Sequence, residues 1–392
     1  MEIKLEMKVL TSSFLKYILC PMKSETFIPP VRTLMGPGPS DVSERVLKAM
    51  AKTTIGHLDP AFISMMDDTK NLLRYAFQTK NELTFAVSAP GSAGMECCFT
   101  NLVEPGDKVV ICQNGYFGDR MKENVERCGG TAVVVHDDWG TKIDIKKAED
   151  ALNKNPDAVV LAFVHAETST GAKTDPKELV ALAHKHDCLV ICDTVTGLAG
   201  IPLMVDEWGI DAIYSGTQKC LSSSPGLSPI SFNKACEEKI KNRKSKVQSW
   251  FLDLNLIMSY WDGDGSRAYH HTAPINNLYG LHESLVMLCE EGLENSWKRH
   301  YDNHVLLRDG LANIGINYLV KEEDRLPQLN TIYIPDDVND AEARSRLLHE
   351  FNLEIGAGLG TLAGKVWRIG LMGQSSNEKN INHCIESIKA VI

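Results

Sequence analysis

YSGTQKCLSSSPG, residues Tyr214 to Gly226, joins the end of an apolar run to a loop of serine, proline and glycine. The run, IDAIYSG (Ile210 to Gly216), reads as a buried strand, and Thr217, Gln218 and Lys219 follow it directly. Lysine is among the residues least often buried, because an unpaired ammonium loses its hydration. A lysine at the mouth of such a strand therefore needs a partner, and the rest of the chain must supply it.

Upstream, the same kind of run recurs: LTFAVSA (Leu83 to Ala89), KVVIC (Lys108 to Cys112), TAVVVH (Thr131 to His136), AVVLAFVH (Ala158 to His165) and CLVICD (Cys188 to Asp193). Short continuous apolar segments rich in valine and isoleucine are what strands covered on both faces require. Helical patterns separate several of them, over Met121–Arg127, Lys146–Asn153 and DPKELVALAHKH (Asp175 to His186). In the last, an N-cap aspartate precedes proline at the first helical position. Alternating β and α elements predict an α/β fold with a mostly parallel central sheet flanked by helices, functional groups standing at the carboxyl ends of its strands. Beyond Pro274 come long helical patterns, then TIYI (Thr331 to Ile334), a helix near Glu342–Phe351, LEIGAG and VWRIGLMG, which read as a smaller C-terminal α+β unit. The expected division is an N-terminal arm over 1–31, a large domain over 32–291 and a small domain over 292–392.

Composition narrows the function. The chain has 392 residues, 43% of them hydrophobic, and a net charge of −10, so the basic footprint of a nucleic-acid binder is missing. No apolar stretch approaches the roughly 18 residues of a membrane span. Eleven cysteines, several inside apolar runs, read as reduced core thiols, and no CxxC pairing suggests a metal. The cytoplasm is the expected compartment.

The strand ends carry the chemistry. Asp193 closes the run CLVIC, and one βα step later the next strand ends at Gln218 and Lys219, so a carboxylate and a lysine face one crevice. HAETSTG (His165 to Gly171) brings hydroxyls and a glutamate to the same edge. SAPGSAGMECC (Ser88 to Cys98) is a glycine-bearing turn entering a helix, whose N–H groups suit a phosphate. Together they suggest pyridoxal phosphate. Lysine forms its Schiff base, aspartate pairs with the pyridinium nitrogen, and the helix end holds the phosphate. Displaced by substrate, the lysine can then serve as the general base.

With YSGTQK, ICDTV, ETSTG, MGPGPS (Met35 to Ser40), YHHT (Tyr269 to Thr272), GKVWRIGLMG and EEGLENSW, the chain resembles the alanine–glyoxylate and serine–pyruvate aminotransferases, which are fold-type I, class V enzymes. The likeness runs from about Arg32 to the C-terminus. It implies Lys219 as the Schiff-base lysine and Asp193 as the pyridinium partner, with Val195 and Phe117 on the ring faces. Gly91, Ser92 and Gln218 would hold the phosphate, and Thr168 would sit near the phenolic oxygen. Tyr269 and Thr272 would reach the neighbouring subunit's phosphate in a homodimer. Arg368 would clamp the substrate carboxylate, as a two-pronged guanidinium can, with Gly38 beside the substrate. Phe117 stands where relatives commonly have tryptophan, Ser92 where some have histidine, and CLSSSPG replaces a more apolar loop.

GAGLGTLAGK (Gly356 to Lys365) mimics a nucleotide loop but fails the P-loop spacing, since Val366 follows its lysine. It reads better as a loop near the carboxylate site. A desulfurase would need a cysteine on a loop roughly a hundred residues after the lysine, and none occurs between Cys289 and Cys384. A kynureninase-like hydrolase stays open at this point, as do larger donors such as 3-hydroxykynurenine or ureidoglycine. The first expectation is a ping-pong transfer from alanine or serine to glyoxylate.

Overall fold

The computed structural model describes residues 25–262 and 267–392. Most of the expected N-terminal arm lies outside the described residues. Residues 25–32 carry no regular element, and Thr33–Ile392 forms a compact unit of its own.

Seven strands organise that unit: β1 (Leu83–Val87), β2 (Lys108–Gln113), β3 (Thr131–His136), β4 (Ala158–Val164), β5 (Leu189–Asp193), β6 (Ala212–Tyr214) and β7 (Ser228–Phe232). Across the sheet they run in the order β1-β7-β6-β5-β4-β2-β3. The pairs from β3 to β6 are all parallel, whereas β7 lies antiparallel between β6 and β1. The sheet is therefore mostly parallel, as the apolar runs imply. β7 has no counterpart among the sequence-predicted strands. Its sequence, SPISF, breaks its apolar residues with two serines and holds a proline, which argues against an interior strand. Pro229 is nevertheless accommodated there, its carbonyl accepting from the Ser215 N–H at 2.8 Å.

Helices α1 (Gly91–Leu102), α2 (Tyr116–Arg127) and α3 (Pro176–Lys185) connect these strands. Asp175 caps α3 as its sequence requires, accepting from Lys177 N–H at 3.0 Å with Pro176 first in the helix. α2 begins five residues earlier than its periodicity indicates. The turn Tyr116–Arg120 lacks an apolar repeat, and Gly118 is there because a Cβ would stand 2.9 Å from Cα of Gln113.

A second apolar core stands apart from that of the large sheet. It gathers Leu307, Leu311, Ile332, Leu347, Trp367, Ile369, Ile381 and Ile388. These come from α5 (Leu293–Ala312), α6 (Asp340–Glu350), α7 (Glu378–Val391) and a sheet of β8 (Leu329–Tyr333), β9 (Gly356–Ala357) and β10 (Val366–Gly370). The helix α4 (Ile275–Glu291) meets α5 at Gly292, whose φ of +83° breaks the helical path. Met35, far upstream, also belongs to this core, and its carbonyl accepts from Gly370 N–H at 2.7 Å. That crossing brings the MGPGPS segment to the lysine loop: Ser40 N–H donates to Gln218 O at 2.9 Å, and Ser40 Oγ to Lys219 O at 2.7 Å.

Candidate active site

Lys219 stands in the loop between β6 and β7, braced by Thr217 Oγ1 donating to Ser224 O at 2.7 Å and by Ser223 N–H donating to Thr217 O at 3.0 Å. Its ammonium donates to the Pro37 carbonyl. Gly38 packs flat against the same side chain with φ of +100°, and a Cβ there would come within 2.6 Å of Nζ. Glycine is thus demanded both by backbone conformation and by space. Burial lowers the Lys219 pKa to about 8, and the Arg368 charge adds to the fall.

Asp193 ends the neighbouring strand, in register with Tyr214 of β6. Oδ1 accepts from Val195 N–H at 2.8 Å and Oδ2 from the Tyr214 hydroxyl at 2.7 Å. Burial pushes its pKa up to about 6, while those two donors and the Lys219 charge pull it down. At neutral pH the carboxylate form therefore prevails. Tyr214, fully buried beside that charge, is driven well above its ordinary pKa and stays the donor.

The glycine turn leads into α1, where Pro90 supplies no side-chain cap; Ala93 N–H donates back to Pro90 O at 2.7 Å, and the Gly91 and Ser92 amides are left to a ligand. Gly91 is squeezed against Val195, with a Cβ reaching 3.3 Å from Cγ2. Arg120 lies over two rings, 5.1 Å from the centroid of Phe117 and 5.4 Å from that of Tyr116. It also donates to Ser92 Oγ at 3.0 Å.

These groups enclose a cavity of about 210 Å³. Of the residues singled out in the sequence, Gly91, Ser92, Phe117, Thr168, Asp193, Val195, Gln218 and Lys219 all line it. Arg368 on β10 stands behind Thr168, donating to Thr168 O at 3.1 Å and to Ala357 O at 2.7 Å. It is 6% exposed and makes no ion pair among the described residues. Burial lowers its pKa to about 10, against the opposing charge of Glu167. Ala357 O belongs to the glycine-rich stretch before Lys365, which serves to seat this arginine. Tyr269 and Thr272 do not join the cavity; both are exposed, Tyr269 by 64%. Their segment is tied to the glycine turn through His271 Nε2 and Ser88 Oγ, 2.7 Å apart. Sequence reasoning missed Tyr214, although it opens the motif YSGTQK, and Arg120, which lies just ahead of the helical pattern over Met121–Arg127. Only the fold turns their polar ends toward Asp193 and Ser92.

The family model for class-V aminotransferases matches residues 34–378. The chain belongs to the class-V aminotransferases. Alanine–glyoxylate aminotransferase of Rattus norvegicus is 38% identical over 93% of this chain and 88% of its own length. The crystal structure of alanine–glyoxylate aminotransferase from Nostoc sp. superposes with a TM-score of 0.92 at 44% identity, covering 94% of this chain and 97% of that one. Ureidoglycine–glyoxylate aminotransferase of Bacillus subtilis gives a TM-score of 0.91 at 35% identity, covering 94% of both chains. The fold is that of the fold-type I aminotransferases, and the enzyme is a pyridoxal phosphate-dependent transaminase.

The residues present fit that cofactor. Thr196 Oγ1 and Gln218 Oε1 are buried at the cavity without a hydrogen-bond partner, which marks a space shaped for a polar occupant. A carboxylate stands at one wall, an uncapped helix start at another and an amine of lowered pKa between them. Tyr214→Phe removes one of the two donors to Asp193 and raises the carboxyl's pKa further. A hydrogen bond to a charged group contributes about 1.5–3 kcal/mol, so cofactor affinity is expected to fall roughly 10- to 150-fold at 1.4 kcal/mol per tenfold. Absorbance titration of the cofactor-free variant measures it.

Proposed function

We propose that this enzyme moves the amino group of a small amino acid, alanine or serine, to glyoxylate or another short 2-oxo acid by a ping-pong route. The observation that carries the reading is the meeting of Lys219 and Asp193 around one cavity, with the guanidinium of Arg368, which makes no ion pair among the described residues, behind Thr168. Bound there, pyridoxal phosphate draws electron density from the substrate's Cα and so weakens its C–H bond. Asp193 keeps a negative charge against the ring nitrogen. Lys219 Nζ, its pKa lowered to about 8 by burial, would take the proton from the substrate's Cα and carry it on Nζ for delivery. Gly91, Ser92 and Gln218 would hold the phosphate, Thr168 would meet the phenolic oxygen, and Val195 and Phe117 would cover the ring, all of them lining the one cavity. Arg368 grips the substrate carboxylate in a two-pronged bond, with Gly38 leaving room beside Lys219.

Exposed Tyr269 and Thr272 fit a homodimer in which each subunit completes its partner's phosphate site. The reading assigns 32–291 to cofactor binding and 292–392 to the substrate arginine, although the two cores cross that boundary: Leu293, Leu326, Leu329 and Met372 pack in the core of the large sheet, and Met35 in the second. No helix among the described residues is long and apolar enough to cross a membrane. The unpaired buried thiols support a reducing compartment, the cytoplasm.

The Bacillus subtilis relative supports a second reading, in which ureidoglycine is the donor. Glycine formation from glyoxylate, measured with L-alanine, L-serine and ureidoglycine in turn, separates the two. Alanine or serine is expected to give the highest kcat/KM, and a clear preference for ureidoglycine would replace the first reading by the second.

A further inference from the structure

Glu167 has no part in the reaction so far, yet it is a fully buried carboxyl immediately behind the cavity wall. A buried carboxylate is costly unless donors surround it. Oε1 accepts from Ser169 N–H at 2.9 Å and from Ser169 Oγ at 2.6 Å, and Oε2 accepts from Phe117 N–H at 3.3 Å. Ser169 Oγ in turn accepts from Tyr116 N–H at 2.9 Å. The first two amides of α2, which the helix itself cannot satisfy, therefore both end on this carboxyl–hydroxyl pair. Its negative charge also suits the positive end of the helix. Gly115, just ahead, lies so close that any Cβ would collide with the carboxyl group. Glu167 thus accepts from the first turn of α2, the turn that carries Phe117 to the cavity.

Its second reach is electrostatic. The charge of Glu167 raises the pKa of Arg368 against the effect of burial, and Arg368 bonds the carbonyl of Thr168, the next residue in the chain. The two groups share no hydrogen bond. Burial, then the Asp193 charge, push Glu167 up to about 7, while Ser169 and Phe117 hold it down, so above neutrality its charge is largely present.

We infer that Glu167 is a positioning residue with two opposed effects: its carboxyl seats the start of α2 and the Phe117 ring, while its charge weakens the hold of Arg368 on a substrate carboxylate. The inference rests on the roles proposed above for Phe117 and Arg368. A moderated clamp suits an enzyme that must bind and release two different 2-oxo acids in every cycle.

Glu167→Gln keeps the shape and removes the charge, and Glu167→Asp keeps the charge but shortens the reach. Both are compared with wild type at pH 8. The cofactor dissociation constant of each variant, from absorbance titration, is expected to rise about threefold or more, as the loss of one long backbone hydrogen bond implies. For the holoenzymes, saturated with pyridoxal phosphate, KM for glyoxylate is expected to fall about three- to tenfold in Glu167→Gln alone, the scale of one partly screened charge. Its kcat stays within about twofold, because the reacting atoms are untouched. General damage to the fold would raise both constants together. A Glu167→Gln enzyme whose KM rises or does not move overturns the inference. An Arg368→Ala control that leaves KM for glyoxylate unchanged removes the clamp itself and the inference with it.

Discussion

Lys219→Ala is expected to lower steady-state kcat by about 10⁴-fold or more, since one side chain supplies both the covalent anchor and the base. The environment of Lys219 explains why no other group can substitute. Its Nζ reaches the Pro37 carbonyl and packs on Gly38, and both sit on a segment stitched to the loop through Ser40. No other lysine lines the cavity. The lowered pKa of about 8 also fixes a pH signature. Lys219 anchors the cofactor only as the neutral amine, so the loading rate of the cofactor-free protein rises with pH and levels off above about 8. Stopped-flow absorbance measures both effects. A variant that turns over at near-normal rate with an unchanged melting temperature would deny Lys219 its role.

Arg368→Ala carries the second large effect. Truncating one partner of a buried, charged hydrogen-bonded pair costs about 2–5 kcal/mol, which is roughly 30- to 4,000-fold in kcat/KM at 1.4 kcal/mol per tenfold. Most of the loss should fall on KM for both the amino acid and the 2-oxo acid, because the two share a carboxylate and use the same guanidinium. Arg368→Lys keeps a charge but not the planar fork, and so should recover only part of the loss. Amines lacking a carboxylate give the sharpest control: their slow half-reaction should be nearly the same in wild type and Arg368→Ala. Equal losses for amines and amino acids would place the arginine in a structural role, through its bonds to Ala357 and Thr168.

The central sheet was largely legible because its parallel strands are buried on both faces and so appear as continuous apolar runs. β7 escaped because serine and proline hide it, and its place is set by pairing with β1 and β6 rather than by its own composition. Asp193 and Lys219 could be paired from sequence, since neighbouring strand ends converge and the βα spacing is regular. Tyr214, Arg120 and Glu167 could not. A tyrosine ending an apolar strand looks like core, an arginine on a polar helix turn looks solvated, and a glutamate in a turn looks exposed. Tyr214 and Arg120 gain their partners, Asp193 and Ser92, only when separate elements meet, and Glu167 gains the Phe117 amide in the same way. Arg368 was legible through the family motif alone. Its seat depends on Thr168, two hundred residues away in sequence.

The most direct test is the visible absorption spectrum of the purified protein, recorded alone, after L-alanine and after glyoxylate. The expected result is a cofactor band that L-alanine bleaches and glyoxylate restores, cycle after cycle. A protein that shows no such band even after pyridoxal phosphate is added would contradict the reading of Lys219 and Asp193 as the heart of the site.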